Sequence, residues 1–393
     1  MITVRHLFSR VPLIAFAVFA VSGCSVFGGS ENPFPPAELE RFDAAFKLKK
    51  VWSKGIGRNS SLLRLALGPA SNGEVIVTVG PKGRVSAFDA KKGRKLWSKK
   101  TRMKLAGGAG VDGSYVAIGS TDGFVALLSL SDGSEIWRQP VSSEVLAAPA
   151  LAPGQVIVHT ADGKITSLNI TDGSELWINQ QSMPKLSLRG SSAPIIVAGA
   201  VICGFDNGHL VAYDLSDGDA LWDVLLAPPS GRTEIERMID LDSAAVVVGN
   251  DVYAISYQGR LAAIAGGSGR LLWSEELSSY AGIAGDASTI YVSTQDSELV
   301  AVSNASGRET WRSGVVLNRD ITGPALQGDS VVVGDYEGYL HWFDVYTGAL
   351  QARARVSGDR ISAAPIVVGD TLYATSDSGK IAAYQIVRPK RKR

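Results

Sequence analysis

The pattern Gly-x-x-x-Trp recurs six times along the chain: Gly93 to Trp97, Gly133 to Trp137, Gly173 to Trp177, Gly218 to Trp222, Gly269 to Trp273 and Gly307 to Trp311. Trp52 stands ahead of the series without its glycine, and Gly348 leads to Ala352, a degenerate copy. From Trp52 to Ala352 the intervals are 45, 40, 40, 45, 51, 38 and 41 residues, which makes seven complete units. A period of this size is the mark of one supersecondary unit stacked on copies of itself, because a single unit cannot bury its own apolar face.

Each unit has the same internal grammar. A β-branched run opens it, as in Val75-Ile76-Val77, Val156-Ile157-Val158, Val246-Val247-Val248 and Val331-Val332-Val333. A tight turn follows at Asp122-Gly123, Asp162-Gly163, Asn207-Gly208 or Glu337-Gly338. Next comes an alternating strand such as Leu210-Val211-Ala212-Tyr213-Asp214, then an Asp-Gly or Ser-Gly turn into the strand that carries Trp. Such dipeptides between apolar runs signal hairpins, since Gly takes positive φ without steric cost. Several units open on proline (Pro149, Pro194, Pro324, Pro365), which a strand tolerates at its first residue. Four short strands per unit without 3.6-residue periodicity predict a β-propeller rather than stacked helices.

The ends of the repeat complement one another. Residues 353–386 supply three strands but none bearing Trp, whereas Phe42 to Lys54 is a Trp-bearing strand with no unit before it. The predicted fold is all-β: an eight-bladed β-propeller of four-stranded antiparallel blades, its ring closed by the N-terminal strand. Closure removes the open sheet edges that invite aggregation. The tryptophans are expected to pack between blades as core aromatics.

Ahead of the propeller, Arg5 and Arg10 precede an apolar run, Val11–Val21, of 11 residues. A membrane-spanning helix needs roughly 20, so the run has the proportions of a signal-peptide core. Val21-Ser22-Gly23-Cys24 follows. It resembles the lipobox of bacterial lipoproteins, which implies lipidation of Cys24, and Ser at position 25 implies sorting to the outer membrane. Ser25 to Glu40 is rich in Gly, Ser and Pro without periodicity and reads as a tether with a reach of at most about 55 Å. At the other end, Arg388 to Arg393 contains five basic side chains. They suit a solvated tail, or alternatively loose attraction to anionic lipid head groups. The expected organisation is a signal peptide over 1–23, lipidated cysteine and tether over 24–41, propeller over 42–387 and basic tail over 388–393.

Lys and Arg number 39 against 38 Asp and Glu, so there is no whole-chain case for nucleic-acid binding. With two cysteines, Cys24 and Cys203, a disulfide framework is excluded. Cys203 lies in the apolar run Val201-Ile202-Cys203 and is expected to be a buried core thiol.

Loop length points to where a partner would bind. From the repeat Trp to the next inner strand takes 12 residues at Trp137 to Pro149 and 13 at Trp311 to Pro324. It takes 17 from Trp177 to Pro194 and 23 from Trp222 to Ala245. These are the same class of connection in consecutive units, so both loops must emerge side by side at one end of the toroid. The stretch from Trp52 to Pro69 is also long. One of the paired loops carries Leu186, Leu188 and Arg189; the other carries Arg237, Asp240 and Asp242. Apolar anchors and Arg beside carboxylates make a hot-spot composition. The same residues equally suit a loop whose leucines pack onto its own blade and whose Asp240 caps a turn.

The unit Gly-x-Leu-x-Ala-Tyr/Phe-Asp…Gly-x-x-Leu-Trp resembles the PQQ-like propeller repeat; the Gly-His and Trp-Asp signatures of WD40 repeats are absent. Within that class the chain resembles the BamB family, lipoprotein subunits of the outer-membrane β-barrel assembly (BAM) machinery. The resemblance rests on Leu186-Ser187-Leu188-Arg189-Gly190, on Thr233-Glu234-Ile235-Glu236-Arg237 running to Asp240-Leu241-Asp242, and on Gly338-Tyr339-Leu340-His341-Trp342. It implies an outer-membrane, lipid-anchored scaffold facing the periplasm, with unfolded outer-membrane proteins as a further class of partner. It also implies that the Leu-x-Leu-Arg and Asp-x-Asp positions engage a periplasmic POTRA domain of BamA.

The sequence supports no catalytic, metal or cofactor assignment. His159, His209 and His341 lie in separate units without metal-ligand spacing. No nucleophile elbow or Walker loop occurs, and Asp240-x-Asp242 lacks the glycine and bidentate glutamate of an EF-hand. The enzyme alternative is a PQQ-dependent quinoprotein dehydrogenase, which the repeat type resembles. The vicinal cysteine pair common in those enzymes is missing here. A propeller lipoprotein of another envelope complex is the remaining alternative.

Overall fold

The computed structural model describes residues 34–57, 67–184, 190–226 and 239–388. The chain divides into the units Met1–Pro35 and Pro36–Arg393, and every strand among the described residues lies in the second. Among the described residues, 32 strands form eight four-stranded sheets and no helix is present. Blade 1 consists of Ala70–Ser71, Val75–Gly80, Arg84–Asp89 and Lys95–Lys100, each antiparallel to the next. Six further blades repeat this order along the chain. Blade 8 is composite: Ile366–Val368, Thr371–Ser376 and Lys380–Val387 are completed by Lys47–Gly55. Lys47 pairs with Val387 and Gly55 with Lys380, so the N-terminal strand closes the ring.

Strands A to D of a blade follow in chain order, blade 8 taking its D strand from the N-terminus. The A strands of neighbouring blades touch, as Ala150–Ala152 does Ile195–Val197, so A lines the axis and D forms the rim. Since successive strands alternate in direction, B–C turns and D–A connections share one end of the ring. Strands B and C are buried on both faces, which is why Val75-Ile76-Val77 reads as an unbroken apolar run. Each such Val or Ile contributes roughly 1.5–3 kcal/mol through burial. The four prolines stand immediately before the A strands that start at Ala150, Ile195, Ala325 and Ile366.

The repeated tryptophan is the joint between blades. Trp52 Nε1 donates to Ala90 O at 2.8 Å, Trp97 Nε1 to Leu130 O at 2.7 Å and Trp311 Nε1 to Val345 O at 2.9 Å, each acceptor lying in the following blade. The ring covers that blade's C–D glycine. A methyl group on Gly93, at φ +65°, would stand 2.4 Å from Trp52 Cδ2, and one on Gly348, at φ +69°, would stand 2.5 Å from Trp311 Cε3. The glycine of each Gly-x-x-x-Trp therefore receives the previous blade's Trp, while the Trp four residues later covers the next blade's glycine.

The exception at Ala352 follows from the same geometry. Blade 8 takes its C and D strands from opposite ends of the chain, so it has no covalent C–D turn and no glycine to receive a ring. The space is filled from within: Ala352 packs in one cluster with Phe46, Trp342 and Tyr384, and Trp342 Nε1 donates to Gln327 Oε1 at 2.7 Å. A bulge beside the Trp position recurs in the C–D ladders. It turns the preceding residue outward, leaving Leu96, Ile136, Leu176 and Leu221 40–54% exposed.

Residues 37–45 run along the D strand of blade 7, Leu350–Arg355. Ala37 N donates to Leu317 O at 2.9 Å and Ala45 N to Gln351 O at 2.8 Å. Arg319 Nη1 donates to Ala37 O at 2.9 Å and Arg353 Nη1 to Glu40 O at 3.1 Å. Both arginines belong to a buried polar network. Arg319 Nε donates to Asp335 Oδ2 at 2.8 Å and its Nη2 to Glu337. His341 bridges Asp335 through Nε2 at 3.0 Å and accepts from Arg353 Nε through Nδ1 at 3.2 Å. With Nδ1 accepting, His341 is neutral, in keeping with burial, which depresses its pKa.

Candidate partner-binding site

The two long D–A connections run from Gln180 to Ile195 and from Leu225 to Val246, on either side of blade 4. Both leave from the end of the ring that carries the B–C turns. Leu186, Leu188, Arg189 and Arg237 lie outside the described residues, as does Cys24. Asp240 and Asp242 are described, together with Gly190, which directly follows Arg189.

The described parts of the two loops meet. A methyl group on Gly190 would lie 2.5 Å from Cγ of Asp242, and Ser192 Oγ donates to Ser243 O at 3.1 Å. The described part of the second loop is seated on blades 4 and 5. Leu241 is 1% exposed and fills the space beside Gly204, whose missing side chain would stand 2.7 Å from Leu241 Cβ. Ile239 forms a parallel bridge with Asn207, and Tyr257 N donates to Asp240 O at 2.9 Å. Asp240 itself is buried, at 1% exposure. It therefore sits beneath the loop surface, with its backbone carbonyl tied to Tyr257 after strand B of blade 5.

Asp242 is the unusual group. Burial, aided by the nearby Asp206 and Asp240 carboxylates, pushes its pKa up to about 8. Its Oδ1 is buried and accepts no hydrogen bond from the described residues. A carboxyl group in that setting suits a partner, or a neighbouring loop, that brings a hydrogen-bond donor or a positive charge. Asp206 completes the group yet stood out in no motif: in Phe205-Asp206-Asn207-Gly208 it reads as an ordinary turn residue, and only packing places it beside Asp242.

The histidines do not gather. His159 is buried, with Nδ1 2.9 Å from Ser192 O and 3.4 Å from Cys203 Sγ. His209 pairs with Asp223 at 2.5 Å on the rim of blade 4, and His341 belongs to the blade 7 network. Cys203 is buried as expected, and burial raises its pKa. Among the described residues no group of three His, Cys, Asp or Glu is placed to hold a metal ion.

The closed ring of eight sheets, with Trp on Gly between blades and two adjoining long loops, defines a propeller of the PQQ-like class. Residues 81–313 match the sequence pattern of the family described as outer membrane protein assembly factor BamB. The BamB of Pseudomonas aeruginosa is 41% identical over 377 residues, covering 96% of this chain and 98% of that protein. The crystal structure of BamB from Moraxella catarrhalis superposes with a TM-score of 0.79 at 28% identity, over 86% of this chain and all of that one. The chain belongs to the BamB family. Quinohemoprotein alcohol dehydrogenase from Comamonas testosteroni also superposes, with a TM-score of 0.69, over 88% of this chain and 77% of that one. At 13% identity that likeness is one of fold alone.

Proposed function

We propose that this chain is a non-catalytic scaffold of the BAM complex, assisting the folding and insertion of outer-membrane β-barrel proteins. In this reading it is anchored in the outer membrane through lipidated Cys24, faces the periplasm, and binds a POTRA domain of BamA. Leu186, Leu188 and Arg189 insert against the partner, Arg237 belongs to the same partner-binding set, and Asp240 and Asp242 orient Arg189 or pair with partner cations. The observation that carries the reading is the contact between Gly190 and Asp242, which joins the two distinctive loops into one surface. Anchoring concentrates the protein at the membrane, so a modest interface suffices.

Triple alanine replacement at 186, 188 and 189 is expected to abolish co-purification with BamA while leaving Tm nearly unchanged. Retained co-purification refutes the assignment, and a large fall in Tm makes these side chains structural. The quinoprotein alternative predicts a shift in absorbance after incubation with PQQ and calcium. The scaffold reading predicts none.

A further inference from the structure

Positive charge is concentrated on one side of this propeller. Of the described residues in 47–57 and 67–104, fourteen are Lys or Arg and all fourteen are exposed; Glu74 and Asp89 are the acidic residues of the same span. By contrast, residues 105–387 hold 15 Lys and Arg against 32 Asp and Glu. The basic span forms the D strand of blade 8, Lys47–Gly55, and the whole of blade 1. These blades are neighbours, joined by Trp52 on Gly93.

The charge is not part of the propeller repeat. Two residues before the repeat Trp stand Lys50 in blade 8 and Lys95 in blade 1, where blades 2, 3 and 6 have Glu135, Glu175 and Glu309. After Trp97 come Lys99 and Lys100, where blade 5 carries Glu275 and Glu276. Lys91, Lys92 and Arg94 extend the surface to one end of the ring, and Lys82 and Arg84 extend it to the other. Nor is the charge consumed internally. Among the described residues one ion pair engages the fourteen, Lys104 with Asp122 at 3.2 Å. The result is a basic wall running the full height of the rim.

We infer that this wall docks the protein on a membrane surface bearing anionic phospholipid head groups. Both chain ends lead there. The N-terminal chain enters the fold along blade 7 and becomes the first strand of the wall. Lys47 pairs with Val387, so the last strand also ends beside the first strand of the wall. Ala37, which is fixed to blade 7, follows Cys24 by only 13 positions. The reach of that stretch is at most about 45 Å. A body so tethered meets the membrane continuously, and its field selects the orientation: the wall is attracted and the acidic remainder repelled. In a ring of eight, blade 8 stands opposite blade 4. Docking by the wall thus turns the two long loops flanking blade 4 away from the lipid.

The inference builds on the outer-membrane reading but not on the loop assignment, and the experiment keeps the two apart. Among the described residues all strands lie between Lys47 and Val387, so the chain can be prepared from residue 24 with Cys24→Ser, which removes acylation. Sedimentation is measured with vesicles containing phosphatidylglycerol and with vesicles of phosphatidylcholine alone. Binding is expected to the former only, and to vanish at roughly 0.5 M salt, where the Debye length falls to about 4 Å. Lys49→Glu, Lys95→Glu and Lys100→Glu together should weaken it at least tenfold. Arg260→Glu, Arg270→Glu and Arg308→Glu, an equal change of charge elsewhere, should leave most of it, and the alanine triple at 186, 188 and 189 should bind vesicles like the parent. The inference is overturned if the parent ignores anionic vesicles or if both charge-reversal triples lose binding equally. It is equally overturned if deleting 388–393 alone abolishes binding, or if the wall triple keeps vesicle binding and instead loses a protein partner.

Discussion

Gly190 and Asp242, 52 positions apart in sequence, stand so close that a methyl group on the glycine would lie 2.5 Å from the carboxyl carbon. The described parts of the two long loops on either side of blade 4 thereby touch. The contact leaves Gly190 no room for a side chain, whatever occupies the neighbouring positions.

Gly190→Ala should therefore push the loops apart. Overpacking of this kind costs about 1–3 kcal/mol when neighbours cannot yield, and Asp242 is held among buried groups. A fall in Tm of a few degrees, with weakened recovery of BamA in pull-downs, is the expected result. Unchanged recovery would separate the glycine from the partner surface.

The carboxyl group of Asp242 gives the loops a pH dependence. Its pKa is about 8 in the folded chain, against an ordinary carboxylate in the unfolded one, because burial and the Asp206 and Asp240 carboxylates disfavour ionisation. The folded state therefore holds the extra proton between these two values. Stability should decline as pH rises from about 4 towards 8, and level off above. Asp242→Asn removes the dependence and should be the more stable protein at pH 8, by an amount on the order of a few kcal/mol. Urea unfolding at pH 5 and pH 8 measures it; parallel pH profiles for the two proteins would contradict the assignment.

The joints between blades make opposite predictions at two positions of one pattern. Gly307→Ala places a methyl group 2.7 Å from Trp273 Cε3 at φ +73° and should destabilise, by about 1–3 kcal/mol. Ala352→Trp restores the repeat, yet it too should destabilise, because Ala352 is 1% exposed and packs against Trp342 and Phe46. A rise in Tm on restoring this tryptophan would defeat the explanation of the missing ring.

Arg319 is 3% exposed and joins Asp335 and Glu337 to the carbonyl of Ala37. Arg319→Met removes the cation paired with the buried Asp335 carboxylate, a loss of about 3–5 kcal/mol. It should also free residues 37–45, so that trypsin cuts after the exposed Arg41 much faster than in the parent. The network adds sensitivity to acid: neutral, buried His341 resists protonation, so its contribution fades as pH falls below the ordinary histidine range near 6.5. Equal rates of cleavage would mean that the arginine does not hold the segment.

Much of this architecture was legible before any coordinates. The interval between tryptophans set the size and number of blades, and the unmatched strand around Trp52 showed how the ring closes. Both were readable because each unit meets the same burial problem and solves it with the same residues. Excess length in two like connections showed that those loops must share one end of the ring. The candidate site was legible only in outline. Loop length does not reveal that Asp240 is buried under its own loop or that Asp206 joins Asp242. The strap over 37–45 has no periodicity, and its attachment depends on Arg319 and Arg353 nearly 300 residues away.

From sequence alone came the repeating hairpin code, the closure of the circle and the neighbourhood of the two loops, since these depend on local propensity and on counting. Tertiary structure decided what tryptophan rests on, why position 352 forgoes it, and which carboxyl group loses its water. It also decided that lysines scattered over two blades share one wall. Those outcomes arise from close approach between residues distant in the chain, where excluded volume and desolvation act through distance in space and leave no periodic trace in the order of residues.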